Sequence, residues 1–158
     1  MTFGEWILKL ITNPFILTGA AAWLVAQVVK TIIHAVINKK LVLERLTGDG
    51  GMPSAHSATV SSLCVFSLLH FGPDTFQFAV TLFLAIIVCH DAMGVRQEAG
   101  KQAVVINDMV EQFEKFFKQD IVDIDLKELV GHTPLQVLAG ITLGVANAFL
   151  MHYAVFGG

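Results

Sequence analysis

The sequence predicts an all-α, polytopic membrane protein: a helical bundle with about four transmembrane helices plus amphipathic surface helices, organised as one domain over residues 1–158. Three observations carry that prediction. Hydrophobic residues form 54% of the chain and charged residues 15%, with a mean hydropathy of +0.67, far from the composition of soluble domains. Four apolar segments, at about 14–37, 54–71, 74–91 and 133–156, approach or exceed the roughly 20 residues that a helix needs to cross a bilayer. The charged residues are gathered between these segments, above all in 97–131.

Ahead of the first segment, Glu5, Trp6 and Lys9 read as a short interfacial helix, and residues 1–10 lack the basic region and small-residue cleavage site of a removed signal peptide. The first long segment carries Lys30, with Gln27 one turn earlier on the same face. An ammonium in that position needs an anion, a carboxylate or a snorkelling path to the interface. The two middle segments are short and join through Phe71-Gly72-Pro73-Asp74, which stops one helix and can cap the next, so they form a tight antiparallel hairpin. Cys64 and Cys89 lie inside these apolar runs and read as buried free thiols, with no disulfide framework and no zinc site. In 97–131, Phe113, Phe116 and Phe117 are spaced for one face of an amphipathic helix that lies on the membrane or over the active face.

Counting crossings places the end of the first segment, the start of the second, the end of the third and the start of the fourth on one side. Lys30, His56, Arg96 and His132 all fall near that side. Lys39, Lys40, Arg45, Arg96, Lys101, Lys115, Lys118 and Lys127 lie in its loops, against Lys9 alone on the other, so the positive-inside rule puts this face in the cytoplasm.

The richest chemistry lies in Gly50-Gly51-Met52-Pro53-Ser54-Ala55-His56-Ser57. A small-residue turn, a hydroxyl and an imidazole stand at the mouth of an apolar helix, whose first free N–H groups point at whatever anion sits above them. A second imidazole opens the last segment in Gly131-His132-Thr133-Pro134, so two histidines can meet at one site. In Asp91 to Arg96, the arginine can clamp a phosphate in bidentate fashion or pair with Asp91 as a structural helix terminus. His34, His70, His90 and His152 have no comparable setting and read as packing or interface residues. Two imidazoles, a hydroxyl, a lysine and an arginine on one face, with no carboxylate cluster for a metal, point to phosphoryl transfer through histidine.

At these residues the chain resembles the phosphatidic acid phosphatase type 2 and vanadium haloperoxidase superfamily, in particular its divergent membrane branch. Pro53-Ser54-Ala55-His56 is similar to that superfamily's Pro-Ser-Gly-His motif, and the run from His132 to Gly140 is similar to its His-x-Pro-x-Asp-Val-x-x-Gly motif. Gly-Gly-Met-Pro-Ser, Asp-Ala-x-Gly-Val-Arg and Gly-His-Thr-Pro match the divergent branch. The resemblance implies that His132 is the nucleophile and His56 the proton donor to the leaving group. It further implies that Lys30, Ser54 and Arg96 hold the phosphoryl oxygens, with no metal and no cofactor. The chain departs from the pattern in three places. The first motif's Arg-Pro is absent, so Lys39 or Arg45 would replace its arginine; Gln136 stands where an aspartate orients the nucleophile, with Asp91 the nearest substitute; and the whole polar stretch 97–131 separates Arg96 from His132.

The implied partners are a phospholipid or polyprenyl phosphate substrate and the membrane, not nucleic acid. A homo-oligomer would supply the helices by which four crossings fall short of six. The implied activity is a metal-independent lipid phosphatase. Gln136 and the missing Arg-Pro motivate the alternative, an inactive membrane protein that binds anionic lipid or a protein partner with the same pocket.

Overall fold

The computed structural model describes residues 1–40, 51–117, 126 and 132–157, without the side chains of 95–97. Among the described residues all regular structure is helical. The helices are α1 (Phe3–Ile11), α2 (Pro14–Asn38), α3 (Ala55–Phe71), α4 (Phe76–Met93), α5 (Val95–Phe117) and α6 (Pro134–Phe149), the last continuing into a wider π-helical turn, Leu150–Val155.

Local sequence explains most of the boundaries. The Thr2 and Glu5 side chains satisfy each other's backbone N–H groups at the start of α1. Asn13 caps α2, with Pro14 at its first position. The helix α3 ends at Gly72, at φ 89. The hairpin to α4 is present, but its cap is Thr75, whose Oγ1 accepts the Phe78 N–H; α4 therefore starts at Phe76, two residues later than the sequence reading.

Among the described residues, three helical stretches are long and apolar enough to cross a membrane: Pro14–Asn38, Phe76–Phe117 and Pro134–Val155. The apolar α3, at 17 residues, is shorter than the four-span expectation required. It is the central helix of the bundle, packed against α2, α4 and α6.

Its composition suits that place. Ser54, Ser57, Ser61, Ser62 and Ser67 are buried along α3, together with Ala55 and Ala58, and small side chains let backbones approach closely where lipid gives no hydrophobic drive for helix association. Glycines on α6 complete the contact. A Cβ at Gly140 would land on the Ser54 carbonyl and 3.0 Å from Ser57 Cβ, and one at Gly144 would land on the Ala58 carbonyl and 3.0 Å from the Ser62 amide nitrogen. One turn below, buried Asn147 donates from Nδ2 to the Thr18 carbonyl (3.1 Å) and to Ser62 Oγ (2.9 Å), tying α6 to α2 and α3.

The two ends of the bundle differ. At one end Phe15, Phe66, His70, Phe71, His152 and Phe156 form a cluster of ring contacts, with centroids 4.9–5.9 Å apart for the closest pairs, so His70 and His152 pack among aromatic rings. The other end, here the loop end, holds the ends of α2 and α4 and the starts of α3 and α6. There α5 continues from α4 with its Met109, Phe113, Phe116 and Phe117 exposed on a polar helix, as an amphipathic helix requires. Asn107 pairs with both backbone groups of Leu126, donating to its carbonyl at 2.9 Å and accepting its N–H at 3.1 Å.

Candidate functional site

The loop end is organised around the start of α3. Ser54 caps that helix: its Oγ accepts the Ser57 N–H at 3.3 Å and the Ser57 hydroxyl at 3.0 Å, and both serines are fully buried. The Ser54 N–H donates to the Gln136 carbonyl at 3.0 Å, which clamps the start of α3 onto the first turn of α6.

Lys30 reaches this end from α2. Gly51 stands at φ 88, and a Cβ there would lie 3.2 Å from Lys30 Cγ and 3.4 Å from Cδ. The glycine turn thus passes directly over the lysine stem, and Lys30 is only 5% exposed. Glycine is required twice at this position, for the backbone angle and for the close approach. One turn before Lys30, the buried Gln27 Oε1 has no hydrogen-bond partner among the described residues.

His132 arrives from the far side of the polar stretch. Its N–H donates to the Ala92 carbonyl at 2.9 Å, so the chain returns from α5 to the end of α4, beside Asp91. The first turn of α6 then orients the ring. Thr133 Oγ1 accepts the Gln136 N–H, and Gln136 Oε1 accepts the Thr133 N–H at 3.1 Å. A backbone N–H needs an acceptor, which settles that the amide oxygen, not the nitrogen, faces this side. That same oxygen lies 3.2 Å from His132 Nδ1. Because Oε1 can only accept, Nδ1 is the donor in this contact.

His56, on the first turn of α3, faces this ring: the two imidazole centroids are 6.5 Å apart and tilted by 52°. His132 is 5% exposed and His56 partly so.

The remaining sequence candidates are less central or lie outside the description. Lys39 ends α2 in a left-handed conformation (φ 50), exposed and about 13 Å further along the axis than Lys30 at 1.5 Å per residue. Arg45 lies outside the described residues, as does the side chain of Arg96, although His132 is bonded only four positions before that arginine. No group of three or more His, Cys, Asp or Glu that could hold a metal ion occurs among the described residues.

Two contributors escape a reading of sequence alone. Ser57, adjacent to a histidine in a helix, carries a signal too common to use. Gln136 stands out only as a missing aspartate, and its acceptor role needed the capping-box geometry.

A polytopic helical bundle with three candidate spans among the described residues, whose loop end gathers two imidazoles, a buried lysine and a capped helix start, is an integral membrane protein. The chain belongs to the Divergent PAP2 family, whose model matches residues 11–147. It is 38% identical over 155 residues to the uncharacterized membrane protein YuiD of Bacillus subtilis (strain 168), an alignment that covers 92% of this chain and 98% of that relative. No solved structure matches significantly.

Proposed function

We propose that this protein is a metal-independent membrane phosphatase that hydrolyses a lipid phosphate or diphosphate, such as a phospholipid or polyprenyl phosphate, at the cytoplasmic face. The observation that carries the reading is the His132–His56 pair, with Gln136 Oε1 at His132 Nδ1, which supports Nε2 as the atom that attacks.

In the first step His132 Nε2 forms a bond to phosphorus while the P–O bond to the lipid breaks. His56 gives its proton to the departing alkoxide. Water then attacks the phosphohistidine with His56 as base, the P–N bond breaks, and inorganic phosphate leaves. Lys30 and the free N–H groups at the start of α3 face the phosphoryl oxygens, Ser54 shapes that helix start, and Arg96 adds a bidentate contact. Asp91 borders the site through Ala92, whose carbonyl holds the His132 N–H.

Purified protein in detergent with chelator should release phosphate from a lipid monophosphate, and radiolabelled phosphate should be trapped on His132. His132→Ala should abolish both, and release that survives this change would sink the mechanism. One observation favours a second reading, a binding protein without turnover: Gln136 is neutral, and an amide cannot stabilise an imidazolium as a carboxylate does. That reading expects lipid phosphate binding that persists in His56→Ala and His132→Ala, with no release from any substrate.

A further inference from the structure

A groove of ≈ 520 Å³ lies between α2 and α6, directly beside the loop end. Its walls are Val29 and Ile33 of α2 and the stretch 135–146 of α6, and its roof is Met52 and Pro53. We infer that this groove seats one hydrocarbon chain of a lipid whose phosphate lies at Lys30, His56 and His132, an inference that rests on the reading of this site as one for lipid phosphates.

Three features of the groove select that occupant. Apart from Thr142 its lining is entirely apolar, and the Thr142 hydroxyl already donates its proton to the Leu138 carbonyl at 3.0 Å, so no side chain in the groove offers a free donor to a sugar, a peptide backbone or a headgroup. It is continuous with the anion site: Met52 and Pro53 separate Gly51, which lies over Lys30, from Ser54, which caps α3. Its length fits one leaflet. From residue 135 to residue 146, α6 rises about 16 Å, against about 15 Å for half of a hydrocarbon core. A lipid with its phosphate at the loops and its chain in the groove therefore lies as it does in the bilayer, without leaving its leaflet.

The groove opens sideways, because Leu135 and Leu138 on its rim are 65% and 59% exposed. A chain can enter from the surrounding lipid without passing through water. Moving a chain from lipid into such a groove gains packing contacts and alignment rather than hydrophobic free energy, since lipid tails are as apolar as the groove. Its effect is to hold the phosphate at a set distance from the two histidines.

The test uses the whole protein in phosphatidylcholine vesicles and a single-chain alkyl phosphate with a photoreactive diazirine midway along its chain. Labelling should map to the α2 and α6 walls of the groove, and excess unlabelled alkyl phosphate should compete it away while the alcohol of the same chain should not. Ala139→Phe, which fills the groove, should cut the competed labelling by about threefold or more. Thr142→Phe, at an exposed position, repeats the blockade should the first variant not fold, and Val80→Phe on the exposed side of α4 should leave labelling unchanged. Labelling spread over α4, or unaffected by either filling variant, overturns the groove even if phosphate is released. Competed groove labelling without phosphate release from the same lipid supports the groove and removes the hydrolytic reading.

Discussion

If His132 is the nucleophile, as proposed, replacing Gln136 by glutamate tests the site through the contact at its Nδ1. In the native chain an amide oxygen lies 3.2 Å from His132 Nδ1, and a neutral hydrogen bond of this kind contributes about 0.5–1.5 kcal/mol, against about 1.5–3 when one partner is charged. Phosphorylation at Nε2 makes the ring an imidazolium, so a carboxylate, already a stronger acceptor in the ground state, gains further when both partners are charged; a further gain of about 1.4 kcal/mol in the transition state is a factor of about ten in kcat. The substitution keeps the fold. Glutamate at the third position of α6 still accepts the Thr133 N–H, and a negative charge in the first turn of a helix is favourable. A carboxylate also favours the imidazolium of the free enzyme, while the nucleophile must be neutral. Gln136→Glu should therefore be slower than the native enzyme in acid and faster at high pH, with the acid limb of kcat/KM moved to higher pH. Gln136→Leu should lose about tenfold or more at every pH, because no acceptor then selects the Nδ1–H tautomer. The assay is phosphate release from a lipid monophosphate in detergent and chelator across the pH range. A Gln136→Glu profile that superimposes on the native one would refute the claim that this side chain orients His132.

Asn147→Leu should cost about 0.6–1.7 kcal/mol in a denaturing-detergent titration, because the bonds to Thr18 and Ser62 are both lost. Asn107→Ala frees both backbone groups of Leu126 at about 1 kcal/mol each, and limited proteolysis near residue 126 should quicken while the bundle's thermal unfolding stays unchanged. Gly51→Ala forces a side chain into a positive φ, at about 1–2 kcal/mol, and against the Lys30 stem; inorganic phosphate should bind more weakly by isothermal titration calorimetry, by about tenfold.

The parts of the fold written in local sequence could be read before the structure. Pro14 after Asn13 and Thr133-Pro134 each place a helix start, because capping and proline geometry depend on neighbours in the chain, whereas Pro53, which suits a first helical position, stands before the α3 cap Ser54. The hairpin at 71–74 could be read as a turn but not its cap, since Asp74 and Thr75 are both good caps and only tertiary placement chose Thr75. Helix α3 was legible as apolar but not as central: its serines look like a weak membrane span until α6 is laid against them. The return of His132 to Ala92 was out of reach, because it rests on one long-range backbone bond, and the one-face spacing of Phe113, Phe116 and Phe117 says nothing of where the chain comes back. The histidine pair itself was legible, from two helix starts placed on one side by counting crossings.

The close packing of α3 on α6 also bears on chemistry, because α3 carries His56 and His132 stands two residues before α6. Gly140 is one turn after Gln136 and meets the Ser54 carbonyl and Ser57 Cβ, at the level of His56. Gly144 is a further turn away from the site and meets Ala58 and Ser62. An added methyl pushes the helices apart at either place, at about 1–3 kcal/mol, offset in part by about 0.5–1 kcal/mol from removing a helical glycine. The two alanine variants should thus lose similar stability. They should differ in turnover: displacement at Gly140 widens the 6.5 Å gap between the rings directly, and a misplacement of about 1 Å at a reacting pair can cost about a hundredfold. Displacement at Gly144 is absorbed over the intervening turn, with the Ser54 to Gln136 backbone bond holding the end of the bundle together. Gly140→Ala should therefore lose at least about tenfold more kcat than Gly144→Ala at matched unfolding midpoints. Equal losses would mean that the α3–α6 clamp does not set the distance between His56 and His132.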